Sequence, residues 1–376
     1  MGELLGSCLG LINGLEWRNV RAVTVAPFTH KASREYVPLI SKAIEDHFQT
    51  LENTQTLKNG FIHPVDDLRD LPFWIVADVL YGRLHMAQQQ ELRTLMPIRD
   101  SLFKRMIQGG ATRFSWSQFF STSTNRDLRD FKQRWAKFHE DFYQESRNSE
   151  ENPPPPALSM YQDMKHGKLS QEQLLQTLDE MLFANLDVTM GGLSWNLLFL
   201  ARDEEVQDKI REELQTAPAW EEYIKSSSTL LAASILESAR LKPLAAFSVP
   251  QSAPTPRVIG GFVIPAGTSI VVDTHSLNLR NPFWGTDREQ YRPSRFLELE
   301  TLDIRYQYWR YGFGPRQCLG KHVVDLIIRG ILAHLLAHYR LSLHETSHWN
   351  KSPDMWISHP DSTICCERLN SPTEIW

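Results

Sequence analysis

Apolar residues along most of this chain recur at three- and four-residue spacing, the period of one face of an α-helix, and polar connections break the pattern into segments. The stretch SRNSEENPPPP at 146 to 156 is one such connection and reads as a loop. Beyond it Ser170 and Gln173 form a capping-box pair, and Leu174, Leu178, Met181, Leu182, Leu186, Leu193 and Leu197 continue at helical spacing toward ARDEEVQDKIREEL. That pattern predicts one helix of about nine turns. After residue 243 the texture changes to PLAAFSVPQSAPTPRVIGGFVIPAGTSIVVDTH, whose Val, Ile, Pro and Gly predict short strands and tight turns. Val323, Val324, Ile327, Ile328, Ile331 and Leu335 predict a buried helix near the C-terminal end. There is no internal repeat and no linker long or polar enough to divide the chain. One domain over 1–376 is expected, mainly α with small β-sheets.

Composition narrows the function classes. The 376 residues are 41% hydrophobic and 23% charged with a net charge of -5, a soluble globular balance. No basic face is implied, which argues against nucleic acid as a partner. No apolar run reaches the roughly 18 residues that spanning a membrane requires. The first residues, MGELLGSCLGLINGLEW, lack the basic region of a signal peptide, and Gly6 stands where a myristoylation signal needs Ser or Thr. A cytoplasmic location is the expectation for the chain as given.

The cysteines change the picture more. Cys8, Cys318 and the adjacent Cys365 and Cys366 make neither a disulfide framework nor a metal knuckle, so a reducing compartment is implied. Cys8, Cys365 and Cys366 read as small apolar fillers. Cys318 is different. It lies in RYGFGPRQCLGKHVVDLIIRG, where glycines let the backbone approach something flat and bulky, and it stands at the start of the predicted helix. There the helix dipole favours the thiolate, a nucleophile or a soft metal ligand. Arg316 can meet an anionic group. A nucleophile needs a base, and the segment offers only His322, so the ligand reading explains more residues.

The spacing of Tyr311, Gly314, Arg316, Cys318 and Gly320 resembles the haem-binding loop of the cytochrome P450 superfamily, with Tyr311 where most members have Phe. Further motifs follow in the family's order. ESAR resembles its Glu-x-x-Arg pair, as Glu237 and Arg240, and PSRF adds Arg295 to a charged triad. Standing alone these would read as surface ion pairs worth under about 1 kcal/mol. EWRNVRAVTVAPF resembles the helix that holds a haem propionate, through Trp17 and Arg21. FANLDVTMGG resembles the oxygen-binding kink, with Ala184, Asp187 and Thr189 aligned. Asn185 replaces the usual glycine there, and Val188 replaces the threonine that normally bonds iron-bound dioxygen, a loss of both donor and acceptor.

The resemblance implies a P450 fold, haem b (iron protoporphyrin IX) held by the Cys318 thiolate, and monooxygenation of a small apolar organic substrate. Asp187 is expected to relay protons, and NADPH-cytochrome P450 reductase to supply electrons, because the chain has no dinucleotide fingerprint. FANLDVTMGGLSWN and YGFGPRQCLGKHVVDLIIR look like fungal enzymes of secondary metabolism. Phe247 and Trp356 are candidates for an apolar substrate pocket, with core packing as the alternative. The first motif belongs to the family's third helix. The expectation is therefore a chain lacking the family's N-terminal anchor, first helices and first strands, with membrane association at the endoplasmic reticulum if a fuller protein carries the anchor. A truncated, non-catalytic haem-binding remnant, a cysteine hydrolase and a zinc site at His334 and His338 are the rival readings.

Overall fold

A computed structural model describes residues 2–53, 55–110, 114–148, 153–347, 349, 357 and 359–370. The chain divides into two compact units, the first comprising Met1–Gln49, Asp67–Thr189 and His322–Ile327, the second Thr50–Asp66, Met190–Lys321 and Ile328–Trp376.

The helices that matter for the first unit are α1 (Gly14–Thr24), α2 (Val37–Asn53), α3 (Asp70–Tyr81), α4 (Met86–Gln108), α5 (Ser123–Ser146), α6 (Pro156–Lys165), α7 (Gln171–Phe183) and α8 (Asn185–Arg202). α7 is the hub, with α3, α5 and α6 all packed on it. Its capping box is present as expected: Gln173 N donates to Ser170 Oγ at 3.1 Å, and Ser170 N donates to Gln173 Oε1 at 2.8 Å. The proline-rich connection ends sooner than its sequence suggests. Pro155 caps α6 and Pro156 opens it, because a first-turn position needs no N–H donor and fits the fixed φ of proline.

Aromatic rings from three helices meet at Phe183, which lies 5.6 Å from Phe73, 6.0 Å from Phe131 and 5.5 Å from Trp135 between ring centroids. Two buried polar pairs lie among these helices. Arg99 Nε donates to Asp179 Oδ1 at 2.8 Å. His139 donates from Nδ1 to the Trp135 carbonyl at 2.8 Å and accepts the Tyr81 hydroxyl on Nε2 at 2.9 Å, which makes it the neutral Nδ1–H tautomer.

In the second unit β1 (Phe61–Ile62), β4 (Tyr339–Leu343) and β5 (Ile364–Arg368) form an antiparallel sheet in the order β1-β5-β4. β2 (Arg257–Ile259) and β3 (Phe262–Ile264) form a hairpin, so the strand-and-turn texture after residue 243 is realised. Helices α9 (Glu204–Thr216), α10 (Leu230–Leu241) and α11 (Lys321–His338) complete the elements used below. Buried side chains of α9 take up the loose backbone groups where α11 hands over to β4. Arg211 Nε donates to Leu336 O at 3.1 Å, and Gln207 both donates to Leu341 O and accepts from Leu341 N. In β5 the register pairs Cys366 with Leu341 and Cys365 with Ser342. Successive strand residues face opposite sides, so these neighbouring thiols point apart, Cys366 into the core. Along α11 the predicted apolar face is buried except at Val324, which is half-buried.

Burial pulls the His139 pKa down to about 4, below the ordinary 6.5. Such an imidazole takes its proton first in the unfolded chain, so its contribution to stability is present above pH 6.5 and is lost as pH falls toward 4. Asp179 has the opposite sign. Burial pushes its carboxyl up to about 6 despite Arg99, so its contribution is present below 3.8 and fades as pH rises through about 6. Urea titrations from pH 7 to 4 should therefore show that His139→Gln reduces the acid-induced loss of stability by about 3 kcal/mol relative to the parent. Asp179→Asn should steepen that loss.

Candidate functional site

In the second unit the segment 310–320 folds around two glycines with positive φ, Gly312 at 83° and Gly314 at 68°. A turn of 3-10 helix covers Gly314–Arg316, and the chain then doubles back so that Cys318 N donates to Tyr311 O at 2.9 Å. Gln317 pins the loop from its side chain, donating to Gly312 O at 3.0 Å. A Cβ on Gly314 would meet no atom within 4 Å, so the glycine is required by its dihedral while the space beside it stays open. Cys318 is exposed, and the N-cap of α11, Gly320, offers no side chain to its first N–H groups. An exposed sulfur beside an uncapped helix start, on a loop edge without a Cβ, fits a soft metal held by thiolate within a flat group.

The triad is deeply buried. Glu237 and Arg240, both on α10, are fully buried and paired through two bonds, Arg240 Nε to Oε2 at 2.7 Å and Nη2 to Oε1 at 2.8 Å. Arg295 Nε reaches Glu237 Oε1 at 3.4 Å and spends its other donors on Trp284 O and Asp287. Arg292 N adds a backbone donor to Oε1 at 3.1 Å. The sequence gives no hint of the residue that links this cluster to the cysteine loop. Arg240 Nη1 donates to Asn278 O at 3.0 Å, and the Asn278 side chain exchanges two bonds with the backbone of Trp309, at 2.7 and 2.8 Å. Trp309 in turn packs on Phe313, ring centroids 4.8 Å apart. Asn278 is fully buried in a single π-type turn, Ser276–Arg280.

The long helix expected from residue 170 onward is two helices. α7 ends at Phe183, Ala184 is its C-cap, and α8 starts at Asn185. The interruption falls on the stretch that resembles the family's kink. Ala184 is exposed and Val188 is 36% exposed, one turn apart on the same side of α8, whereas Asp187 (7%) and Thr189 (2%) are buried. The side chain of Asn185 lies outside the described residues. Asp187 has a partner that sequence reasoning missed: Arg69 Nη2 donates to Asp187 Oδ1 at 3.0 Å and to Asp100 Oδ2 at 2.5 Å. Arg69 sits in the charged run DDLRD.

Trp17 and Arg21 are half-buried, four residues apart on α1, and so share a face. Phe247 is not in a core. It is 59% exposed on an antiparallel bridge to Asp273, next to exposed Val249. Trp356 lies outside the described residues.

The family model described as Cytochrome P450 matches residues 6–366. The chain is 50% identical to cytochrome P450 monooxygenase aclC of Aspergillus oryzae, covering 98% of this chain and 77% of that protein. It is 46% identical to cytochrome P450 monooxygenase asaD of Aspergillus flavus, covering 98% and 72%. A zebra fish cytochrome P450 solved with progesterone superposes with a TM-score of 0.80 at 17% identity, covering 98% of this chain and 86% of that one, and so shares the fold. The chain belongs to the cytochrome P450 family. It is an oxygen-incorporating oxidoreductase, a monooxygenase with the mainly helical P450 fold and a haem-thiolate cofactor.

Asn278→Leu keeps the volume of the side chain but orphans both Trp309 backbone groups. It should lower stability in urea by about 2 to 4 kcal/mol. Glu237→Gln should cost about 3 to 5 kcal/mol, because it leaves the buried Arg240 guanidinium without its counter-charge.

Proposed function

We propose that this chain binds haem b through the Cys318 thiolate and inserts one oxygen atom from dioxygen into a small apolar organic substrate. The reading places it in fungal secondary metabolism, with NADPH-cytochrome P450 reductase as electron donor, and takes 1–376 as one catalytic domain. The exposed Cys318 sulfur, at an uncapped helix start on a loop braced through Asn278 and the buried triad, is the observation that carries the cofactor assignment. The pathway assignment rests on likeness to the Aspergillus monooxygenases. Among the described residues no helix is long and apolar enough to cross a membrane. A cytoplasmic location is proposed for the chain as given, and the endoplasmic reticulum membrane for any fuller protein that carries an anchor.

Bound haem supplies the activation of dioxygen. Cys318 Sγ would hold the iron, and Tyr311, Gly314 and Gly320 shape the loop that presents it. Arg316, Arg21 and Trp17 are the residues that the family resemblance would assign as donors to the propionate carboxylates. Glu237, Arg240 and Arg295 keep the loop from yielding. On α8 the exposed faces of Ala184 and Val188 present methyl groups, which exclude water and favour apolar substrate. Phe247, exposed in the second unit, and Trp356, by sequence alone, are further candidates for contact with an apolar substrate. Asp187 would relay protons, with Thr189 and Asn185 next to it in the chain.

Cys318→Ser should abolish the red-shifted Soret band of the reduced carbon-monoxide complex together with all oxygenation. Retained turnover in that variant would sink the ligand assignment. Val188→Thr should lower peroxide release per NADPH oxidised by several-fold, since it returns a hydroxyl to a stripe that has none at that position. Unchanged coupling would leave Val188 as a packing residue.

A further inference from the structure

In the second unit aromatic rings and two cations gather beside the C-terminal ends of α8 and α10. Trp195 and Phe199 lie one turn apart on α8, and Trp349 meets both: it stacks near Trp195 with ring centroids 6.2 Å apart and stands edge-on to Phe199 at 5.0 Å. Tyr291 stacks on Phe199 at 4.7 Å and is tied to α10 by a hydrogen bond with Ser234 at 2.5 Å. Lys242, the C-cap of α10, places Nζ 4.7 Å from the Trp195 centroid and 5.8 Å from that of Trp349. Arg202, the last residue of α8, places Cζ 5.4 Å from the centroid of the same Trp349. The sequence puts acids beside Arg202, and the fold takes them away. Asp203, Glu204 and Glu205 follow it directly. Asp203 Oδ1 accepts from Val206 N at 3.0 Å as the cap of α9, Glu204 pairs with Arg340, and Glu205 Oε1 accepts from Lys209 Nζ at 2.6 Å. Among the described residues neither the Arg202 guanidinium nor the Lys242 ammonium has a hydrogen-bond or ion-pair partner. The aromatic faces attract both charges but leave their N–H groups without an oxygen acceptor. Lys242 is half-buried as well, and that loss of water lowers its pKa below the ordinary value with no carboxylate to oppose it.

We propose that Arg202 and Lys242, set against Trp349, form a binding site for a dianionic phosphate group, free or borne by a small molecule. Two positive charges beside one indole, without a counter-charge, form a local excess that an anion from solution removes. The charge count selects the anion. A phosphate group carries about −1.5 to −2 at pH 7 and three strong acceptor oxygens, enough for a guanidinium fork and an ammonium together, whereas a carboxylate brings one charge and two oxygens. Trp195 and Trp349 hold the Lys242 stem in place, so little side-chain freedom is lost on binding. Lys242 stands two residues beyond Arg240, and its backbone N–H donates to Ser238 O at 2.9 Å. An occupied site therefore also fixes the end of the helix that carries Glu237 and Arg240.

Calorimetric titration of the full holoenzyme with inorganic phosphate, at constant ionic strength, tests this without drawing on turnover. Phosphate should bind one to one, and its affinity should fall about 5-fold or more from about pH 7.5 to about pH 5.5, because its second charge is lost near pH 6. Sulfate, a dianion throughout, should bind without that trend, and acetate about 10-fold or more weakly. Arg202→Gln and Lys242→Met should each weaken phosphate binding by about 10-fold, and Arg202→Lys, which keeps the charge but not the fork, by less. Phenyl phosphate separates the two sources of the group: several-fold tighter binding than inorganic phosphate assigns the site to a phosphorylated small molecule, and equal binding to the free ion. If the two cations only brace the fold, the variants lose stability in urea while phosphate binds them as it binds the parent, and the proposal is overturned. Acetate binding as tightly as phosphate overturns it too. Should Lys242→Met not fold, Arg202→Gln decides alone, since Arg202 is exposed; parental phosphate affinity in that variant refutes the site.

Discussion

Glu237 and Arg240 pair at zero exposure to solvent, and the rigidity of the second unit around the cysteine loop follows from that pair. Taking both charges out of water costs several kcal/mol per ion, more than a single Coulomb contact returns, unless the remaining donors and acceptors are satisfied. Here they are. Both Glu237 oxygens accept, with Arg240, Arg295 and the Arg292 backbone around them, and Arg240 spends its spare nitrogen on Asn278 O. A network satisfied this fully has one low-energy arrangement, because moving any member leaves a buried charge short of a partner. The second bond set of Asn278 passes that constraint to Trp309, immediately before the loop that carries Cys318.

The region around Arg69 follows the opposite rule. Its carboxylates outnumber its guanidinium, one nitrogen is shared, and a buried donor is left over. The break between α7 and α8 at Ala184 adjoins this cluster through Asp187. It leaves Ala184 and Val188 exposed on one side of the helix and sends Asp187 inward to Arg69.

Much of this molecule is readable from short-range spacing. The capping box at Ser170 and Gln173, the helix behind Cys318, the strand-and-turn texture after residue 243 and the order of the motifs all depend on residues a few positions apart, where backbone geometry imposes a fixed period. Glycine spacing around Cys318 belongs here too, because two of those glycines occupy positive φ that other residues avoid. Local rules also misled. Helical periodicity ran unbroken through Ala184, since an interrupted helix and a continuous one keep nearly the same apolar spacing. A proline run read as loop supplied the first residue of α6.

What the sequence determined by itself is thus the capped start of α7, the helix behind Cys318 and the family motifs. Tertiary structure alone decided the partners. Arg69 and Asp187 stand 118 positions apart, Asn278 and Trp309 31 apart, and Arg295 and Glu237 58 apart. Spacing carries no information over such lengths, because the backbone period is lost at every connection. Burial is decided in the same step. A glutamate and an arginine three residues apart on a helix form a weak surface pair or an anchor of the fold according to what packs over them, and that covering comes from distant segments.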